Sequence, residues 1–520
     1  MASHPAMLAW PQTAPGELGE DEFGLALWTA PAIEAATGGH ASDDFQVSGV
    51  AFDSREVHEG DLFVALRGEH SDGHGYVAQA FARGAAAVLV EQAVDGPHIL
   101  VKDTSSALEG LAKTARERAD ALIVGVTGSA GKTGVKEALF AALDRSSRGR
   151  AHRSVKSYNN HVGVPLSLAR MPARSKFGVF EMGMNHPGEL AQLTRLVRPH
   201  VAIVTTIAPA HIGFFSGEEE IADAKGEIFE GIEAPDGLGA GTAIIPADSR
   251  HFERLRAKAL ACGATVVSFG TAAHADVRLL DTIRAHNGGS LITADFGDRR
   301  ICYTVSLPGE HWVVNSLAVM AAVRAVGGDL GAAGLALAEM EGLAGRGARH
   351  AVTAPGGDGS GGALVIDESY NANPASMAVT IAELGRTPAR RRIAVLGAMK
   401  ELGSASDTYH AELAAPLSAA GIDRVVLVGE EMASLARALW NQPLGKSAAA
   451  PLGKRIDVAH VASAAEALAL VTAHTLEGGD AVLVKGSNSV GLAALVQALS
   501  EPSMGAKPEA DRSGGGKDKN

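Results

Sequence analysis

A lysine and a threonine close a glycine-punctuated turn at Gly125-Val126-Thr127-Gly128-Ser129-Ala130-Gly131-Lys132-Thr133. Small residues in such a turn let backbone N–H groups converge on phosphate oxygens. Lys132 adds a mobile positive charge for the outer phosphates, and the Thr133 hydroxyl can ligate Mg²⁺. The spacing departs by one position from G-x-x-x-x-G-K-[ST], because Val126 stands where the first glycine is expected. The order of strand, turn, Lys-Thr and helix still favours an ATP or GTP site over a plain glycine-rich turn.

A phosphate loop identifies a ligand and leaves the reaction open. Three further residues narrow the chemistry. Glu181 ends an apolar run in Phe180-Glu181-Met182-Gly183-Met184-Asn185-His186, on the sheet edge that would also carry the loop. Its carboxylate can share the loop's cation; a strand-end carboxylate in solvent is the plain alternative. His211 follows the run 201–207 (VAIVTTI) on that same edge, where a structural histidine would be equally at home. Lys225, in Ala224-Lys225-Gly226-Glu227, sits one helix further on and by itself reads as a solvated lysine.

Holding these groups together requires a parallel sheet. The unbroken run 121–126 (ALIVGV) reads as a strand buried on both faces. Runs 177–180, 201–207 and 264–269 alternate with helical stretches, which implies parallel strands covered by helices. AHNGGSLI and FGDRRICY read as hairpin turns that append antiparallel strands, and 315–326 (NSLAVMAAVRAV) as a buried helix. Upstream, runs 61–66, 87–90 and 98–101 with a helical stretch at 76–83 form a small α/β unit. Downstream, 363–367, 391–397, 423–429 and 480–486 alternate with helices at 411–420 and 463–474, a doubly wound, Rossmann-like pattern. The glycine-rich stretch 354–362 reads as a hairpin loop. The expected division is a flexible leader 1–22, an N-terminal domain 23–118, a central domain 119–344, a C-terminal domain 345–500 and a disordered tail 501–520.

Length agrees with that division, since 520 residues at about 150 per domain make about three. Hydrophobic residues at 46% against 20% charged exclude global disorder. With 46 basic and 59 acidic residues the net charge is −13, which argues against nucleic-acid binding. Cys262 and Cys302 cannot make a disulfide framework or a cysteine zinc site. The N-terminus lacks a signal-peptide pattern, and no run approaches the ~18 apolar residues of a membrane span. A soluble, cytoplasmic monomer is expected.

Together, Thr127–Thr133, the Glu181 strand end, Ala210-His211 and Lys225-Gly226-Glu227 resemble the central domain of the Mur ligases, ATP-dependent amino-acid ligases of peptidoglycan precursor synthesis. The resemblance runs over about residues 25–500. Its most specific segments are Glu181-Met182-Gly183-Met184-Asn185-His186-Pro187-Gly188-Glu189 and Ser369-Tyr370-Asn371-Ala372-Asn373-Pro374-Ala375-Ser376-Met377. It implies three α/β domains: a small N-terminal one for the UDP-sugar, a central P-loop parallel-sheet ATPase domain, and a Rossmann-like C-terminal ligase domain. Gly128, Ser129, Ala130, Gly131, Lys132 and Thr133 would hold ATP phosphates, with Thr133 and Glu181 on one Mg²⁺. His211 and Lys225 would belong to a second Mg²⁺ site, where the lysine can carry a CO₂-derived carbamate. Asn315, Arg346 and Asp367 would complete the nucleotide site. Ser54, Arg55, Asp72, His74, Asn159, Asn160, Asn371 and Asn373 would meet the substrates, a UDP-muramoyl-tripeptide and D-Ala-D-Ala.

Two residues depart from the family pattern: Gly134 stands where Thr or Ser is expected, and Trp312 where Asn is common. The competing readings are a sister ligase adding a single amino acid, a folate-type polyglutamate ligase, and a P-loop switch without ligase activity.

Overall fold

The computed structural model describes residues 26–68, 71–209, 214–235, 239–285, 288–352, 362–441, 455–473 and 476–500. The leader 1–22, the tail 501–520, His211 and nearly all of 354–362 lie outside the described residues. Three successive α/β layers are built on a five-, a nine- and a six-stranded sheet, with a two-stranded ribbon beside the first.

In the first sheet, Gly49–Ala51, Asp61–Val64, Ala87–Val90 and His98–Leu100 run parallel, and His40–Ala41 closes one edge antiparallel. This layer is fastened to the next one by its own aromatic residue. Trp28 Nε1 donates to the Ala169 carbonyl at 2.8 Å, and the Arg118 guanidinium lies 3.7 Å from the Trp28 ring centroid.

The nine-stranded sheet places the chemistry. Leu122–Thr127, third from one edge, lies between Phe177–Glu181 and Val201–Val204, all parallel. Register sets Glu181 opposite Val126 and Val204 opposite Thr127, so the carboxyl ends of three strands finish level. The strands are apolar throughout because helices cover both faces. The helix expected at 315–326 spans Glu310–Ala325 and buries ten of its residues. Both expected hairpins form, as the antiparallel strands Val277–Arg284, Ser290–Asp295 and Arg300–Val305.

The six-stranded sheet has the order Ala348–Val352, Ala363–Glu368, Ala481–Lys485, Arg392–Gly397, Arg424–Val428, Asp457–Val461, parallel except for the first. Ala348–Val352 pairs antiparallel with Ala363–Glu368. The helix Pro374–Arg386 opens with Asn373 as N-cap, Pro374 in the first turn and a reciprocal bond to Ser376. Such a cap contributes about 1 kcal/mol.

Some elements differ from expectation. The single helix expected at 411–420 is two, Ser406–Glu412 and Ala414–Ala419, and Pro416 lies within the second. Run 201–207 stops being a strand at Val204, because the chain then turns beneath the phosphate loop.

One half-buried histidine ties stability to pH. His152, on Ala151–Arg153, donates from Nε2 to the Ser167 carbonyl at 2.7 Å, and burial pushes its imidazole down to about 4. An unfolded chain takes up that proton near pH 6.5 while the folded chain does not. Stability should therefore fall as pH drops from about 6.5 toward 4. Urea midpoints across this range should decline less steeply in His152→Gln; parallel declines would exclude His152 as a cause.

Candidate active site

The turn after Leu122–Thr127 leads into the helix Lys132–Ser147 through Gly128 at φ +148° and Gly131 at φ +82°. Side chains rarely adopt these angles, and a Cβ on Gly128 would fall 1.9 Å from Thr205 Oγ1. The loop is braced from the neighbouring connection. Thr205 Oγ1 donates to the Ala130 carbonyl at 2.6 Å, Ser129 N donates to the Thr206 carbonyl at 2.8 Å, and Ser129 Oγ donates to the Ala208 carbonyl at 2.9 Å. Sequence reading passed over Thr205; two threonines interrupting VAIVTTI were the available signal.

Lys132 folds back so that Nζ donates to the Gly128 carbonyl at 2.8 Å, within the phosphate cradle. Desolvation holds its ammonium below the usual lysine range, against the pull of Glu181 and with the push of Arg346. Glu181 is buried and gripped from two sides: Thr133 Oγ1 donates to Oε2 and Asn159 Nδ2 to Oε1, both at 2.8 Å. A hydroxyl and a carboxylate this close, at a loop built for phosphates, form the hard oxygen donor set that Mg²⁺ takes. Lys225, on Glu218–Gly226, is 2% exposed. Desolvation, reinforced by the Lys132 charge, lowers its ammonium well below the usual range and favours the neutral amine.

The C-terminal layer closes over this edge. Asn373 Nδ2 donates to the Ser129 carbonyl at 3.4 Å while its Oδ1 caps the helix. Arg346 Nη2 reaches Ser157 Oγ at 3.3 Å, and its guanidinium carbon lies 4.3 Å from the Tyr370 ring centroid. Asp367 is occupied in shaping its own corner, accepting from Gly345 N, Ser369 N and Ser369 Oγ. Asn371 accepts from Ala372 N through its side chain, and its carbonyl accepts from buried Lys485 Nζ at 2.9 Å. Asn315 is packed against the loop, its Nδ2 2.9 Å from where a Cβ on Gly131 would lie. Asn160 Oδ1 accepts from Gly163 N, where Gly163–Ala169 begins. In the first layer, exposed Arg55 pairs with Asp53, Ser54 donates to Gln79, and His74 bridges Asp72 and Glu91 N. The structure thus gathers Lys132, Thr133, Glu181, Asn159 and Arg346 at one strand edge, and leaves Ser54, Arg55, Asp72 and His74 on the N-terminal layer.

Sequence reading missed a crevice of 540 Å³ at the carboxyl ends of the C-terminal strands, lined by Lys400, Glu430, Glu431, Ser463 and Ser489 among others. It opens beside the point where strand order reverses in the doubly wound sheet, between Ala481–Lys485 and Arg392–Gly397. Lys400 and Glu431 form an ion pair on its wall.

Three family models match in order: "Mur ligase family, catalytic domain" over 46–122, "Mur ligase middle domain" over 126–323, and "Mur ligase, glutamate ligase domain" over 357–488. The chain is 34% identical to UDP-N-acetylmuramoyl-tripeptide–D-alanyl-D-alanine ligase of Escherichia coli, over 88% of this chain and 95% of that protein. It is 35% identical to the ligase of the same name from Bacillus subtilis, over 74% and 80%. Among solved structures, MurF from Acinetobacter baumannii aligns with a TM-score of 0.74 at 29% identity, covering 91% of this chain and 98% of that one. MurF from Thermotoga maritima, solved in complex with ADP, aligns with a TM-score of 0.67 at 26% identity over 87% and 97%. Family matches over most of the chain, and a relative above 30% identity along nearly its whole length, agree with the strand edge built around the phosphate loop: the chain belongs to the Mur ligase family.

Proposed function

We propose that the chain joins UDP-N-acetylmuramoyl-tripeptide to D-alanyl-D-alanine, converting ATP to ADP and phosphate, in peptidoglycan precursor synthesis. The observation that carries this reading is the Thr133–Glu181–Asn159 cluster, its threonine and glutamate buried, beneath a preformed phosphate loop, in a chain that aligns over 88% of its length with a ligase of this name.

A carboxylate is a poor electrophile, because attack on it would have to expel oxide. Its oxygen instead attacks the γ-phosphorus of ATP; the bond to the bridging oxygen breaks, ADP leaves, and an acyl phosphate results. The dipeptide amine then attacks the acyl carbon, loses its proton, and expels phosphate. Both partners in the first step are anionic, so positive charge must surround them. Lys132 supplies it at the loop, and Arg346 can add it from the closing layer. Mg²⁺ held by Thr133 and Glu181, with a second ion beside His211 and Lys225, would neutralise further phosphate charge. Burial shifts Lys225 toward its neutral amine, the form that can attack CO₂ and lose a proton to become an anionic oxygen ligand. Holding the reactants in line supplies roughly 7–11 kcal/mol as effective molarity. The acyl phosphate is open to hydrolysis, so the reaction needs water kept out, and the C-terminal layer, which touches the loop at Ser129, is the element placed to do it.

The division of labour follows residues 23–118 for the UDP-sugar, 119–344 for ATP and 345–500 for the incoming amine. Ser54, Arg55, Asp72 and His74 meet the sugar nucleotide; Asn371 and Asn373 stand at the peptide end. The Lys400–Glu431 crevice offers a cation and an anion for the two ends of a zwitterionic dipeptide. The Mur activity belongs in the cytoplasm, where its nucleotide substrates are; no helix among the described residues is long and apolar enough to cross a membrane.

Crossing UDP-muramoyl di- and tripeptides with single D-amino acids and D-Ala-D-Ala, read by mass spectrometry, tests the assignment. Product is expected only from tripeptide plus dipeptide. Product from a dipeptide acceptor with a single amino acid would identify a sister ligase instead.

A further inference from the structure

The two departures from the family pattern lie in separate segments of the chain, yet they meet in space. Gly134 is the third residue of Lys132–Ser147, and Trp312 belongs to the first turn of Glu310–Ala325. A Cβ built on Gly134 would lie 2.9 Å from both Cζ2 and Cη2 of the Trp312 indole. Real Cβ atoms do not approach that closely, and the indole is a rigid plate with two rotatable bonds, so it would have to swing away. The ring therefore occupies the space that a side chain at 134 would need.

This contact falls at a functional place. Val135 N is bonded to the Gly131 carbonyl, so the N–H groups free to meet an anion at this helix start are those of Lys132, Thr133 and Gly134. Trp312 borders the last of these, its indole against the Cβ position of Gly134, and it is only half-buried. Asn315, one turn further along the same helix, abuts the loop at Gly131. The two side chains, three residues apart, share the helix face turned to the nucleotide side. Beyond the phosphates, ATP presents a ribose and an aromatic base, and a half-exposed indole offers such groups a flat apolar surface.

We infer that Trp312 is a nucleotide-contacting residue whose indole, seated on Gly134, walls the ribose and base end of the ATP site, so that positions 134 and 312 form one coupled pair. This rests on the phosphate-loop reading above. Glycine at 134 is the condition for tryptophan at 312, and a polar residue at 134 requires a smaller partner at 312.

A double-mutant cycle on the full chain tests it, with KM for ATP, KM for the muramoyl tripeptide, ADP affinity and melting temperature measured for wild type, Gly134→Thr, Trp312→Asn and the double variant. Each single substitution is expected to raise KM for ATP about tenfold, with the loss concentrated in KM for ATP and not in KM for the tripeptide, while the double variant, free of the clash but still without the indole, stays at about the tenfold loss of Trp312→Asn alone. Multiplicative losses in the double variant would overturn the coupling. Lowered melting temperatures with KM for ATP unchanged would make the contact mere packing and overturn the inference. Should Gly134→Thr fail to fold, indole emission on ADP titration decides: wild type should respond and Trp312→Phe should lose most of the response, whereas an equal response in both would refute the nucleotide contact. Wild type that binds no ADP would instead bring down the phosphate-loop reading on which the inference stands.

Discussion

Lys132→Ala should fold normally and barely ligate. The side chain makes one described hydrogen bond, to a carbonyl of its own loop, and its ammonium is held in place against a desolvation cost. Removing it relieves that cost, so a melting temperature close to wild type is expected. The transferring phosphoryl group, however, loses a preorganised charge at the point where negative charge is concentrated. By comparison with the loss of an oxyanion-hole donor, kcat should fall on the order of 10²–10³-fold. Phosphate release in the presence of both acceptor and amine measures it. A variant within tenfold of wild type would refute the role of this lysine in phosphoryl transfer.

Lys225→Ala should be nearly as damaging, for a different reason. A buried ammonium with its pKa pushed well down contributes little as a cation. Its value lies in the neutral amine, which can become an oxygen ligand by adding CO₂. Truncation should cost about 10²-fold in ligation, and formate or acetate should restore part of it by entering the vacated space as a carboxylate. Full activity in the variant would remove Lys225 from the site. Loss without rescue, together with a lowered melting temperature, would reduce it to a packing residue.

The nine-stranded sheet was legible in outline because parallel strands buried on both faces read as unbroken apolar runs, as in 121–126 and 177–180. Edge strands were not. Ala348–Val352 interrupts its apolar residues with an exposed Arg349 and a half-buried His350, and Ala151–Arg153 is three residues long. Thr242–Pro246, a central strand, was missed for another reason: it ends in proline after a glycine-rich approach, and such a segment resembles a turn. Within the site, Lys132, Thr133 and Glu181 could be named because their chemistry is local to motifs. Their supports could not be read as supports: Asn159, assigned to the substrates, reaches Glu181 across 22 residues, and Thr205 reaches Ala130 across 75. Residues assigned to ligands by resemblance, such as Asn160 and Asp367, also carry local bonds that shape the backbone, a duty invisible without coordinates. The meeting of Gly134 and Trp312 was hidden for the same reason.

Thr205, Thr206 and Ala208 tie Ser129 and Ala130 to the neighbouring strand connection through hydrogen bonds that need no nucleotide. The cradle's curvature is therefore settled while the sheet assembles, and an incoming triphosphate has little backbone motion left to freeze. Conformational entropy that a floppy loop would surrender at each turnover is surrendered here once in the lifetime of the folded chain.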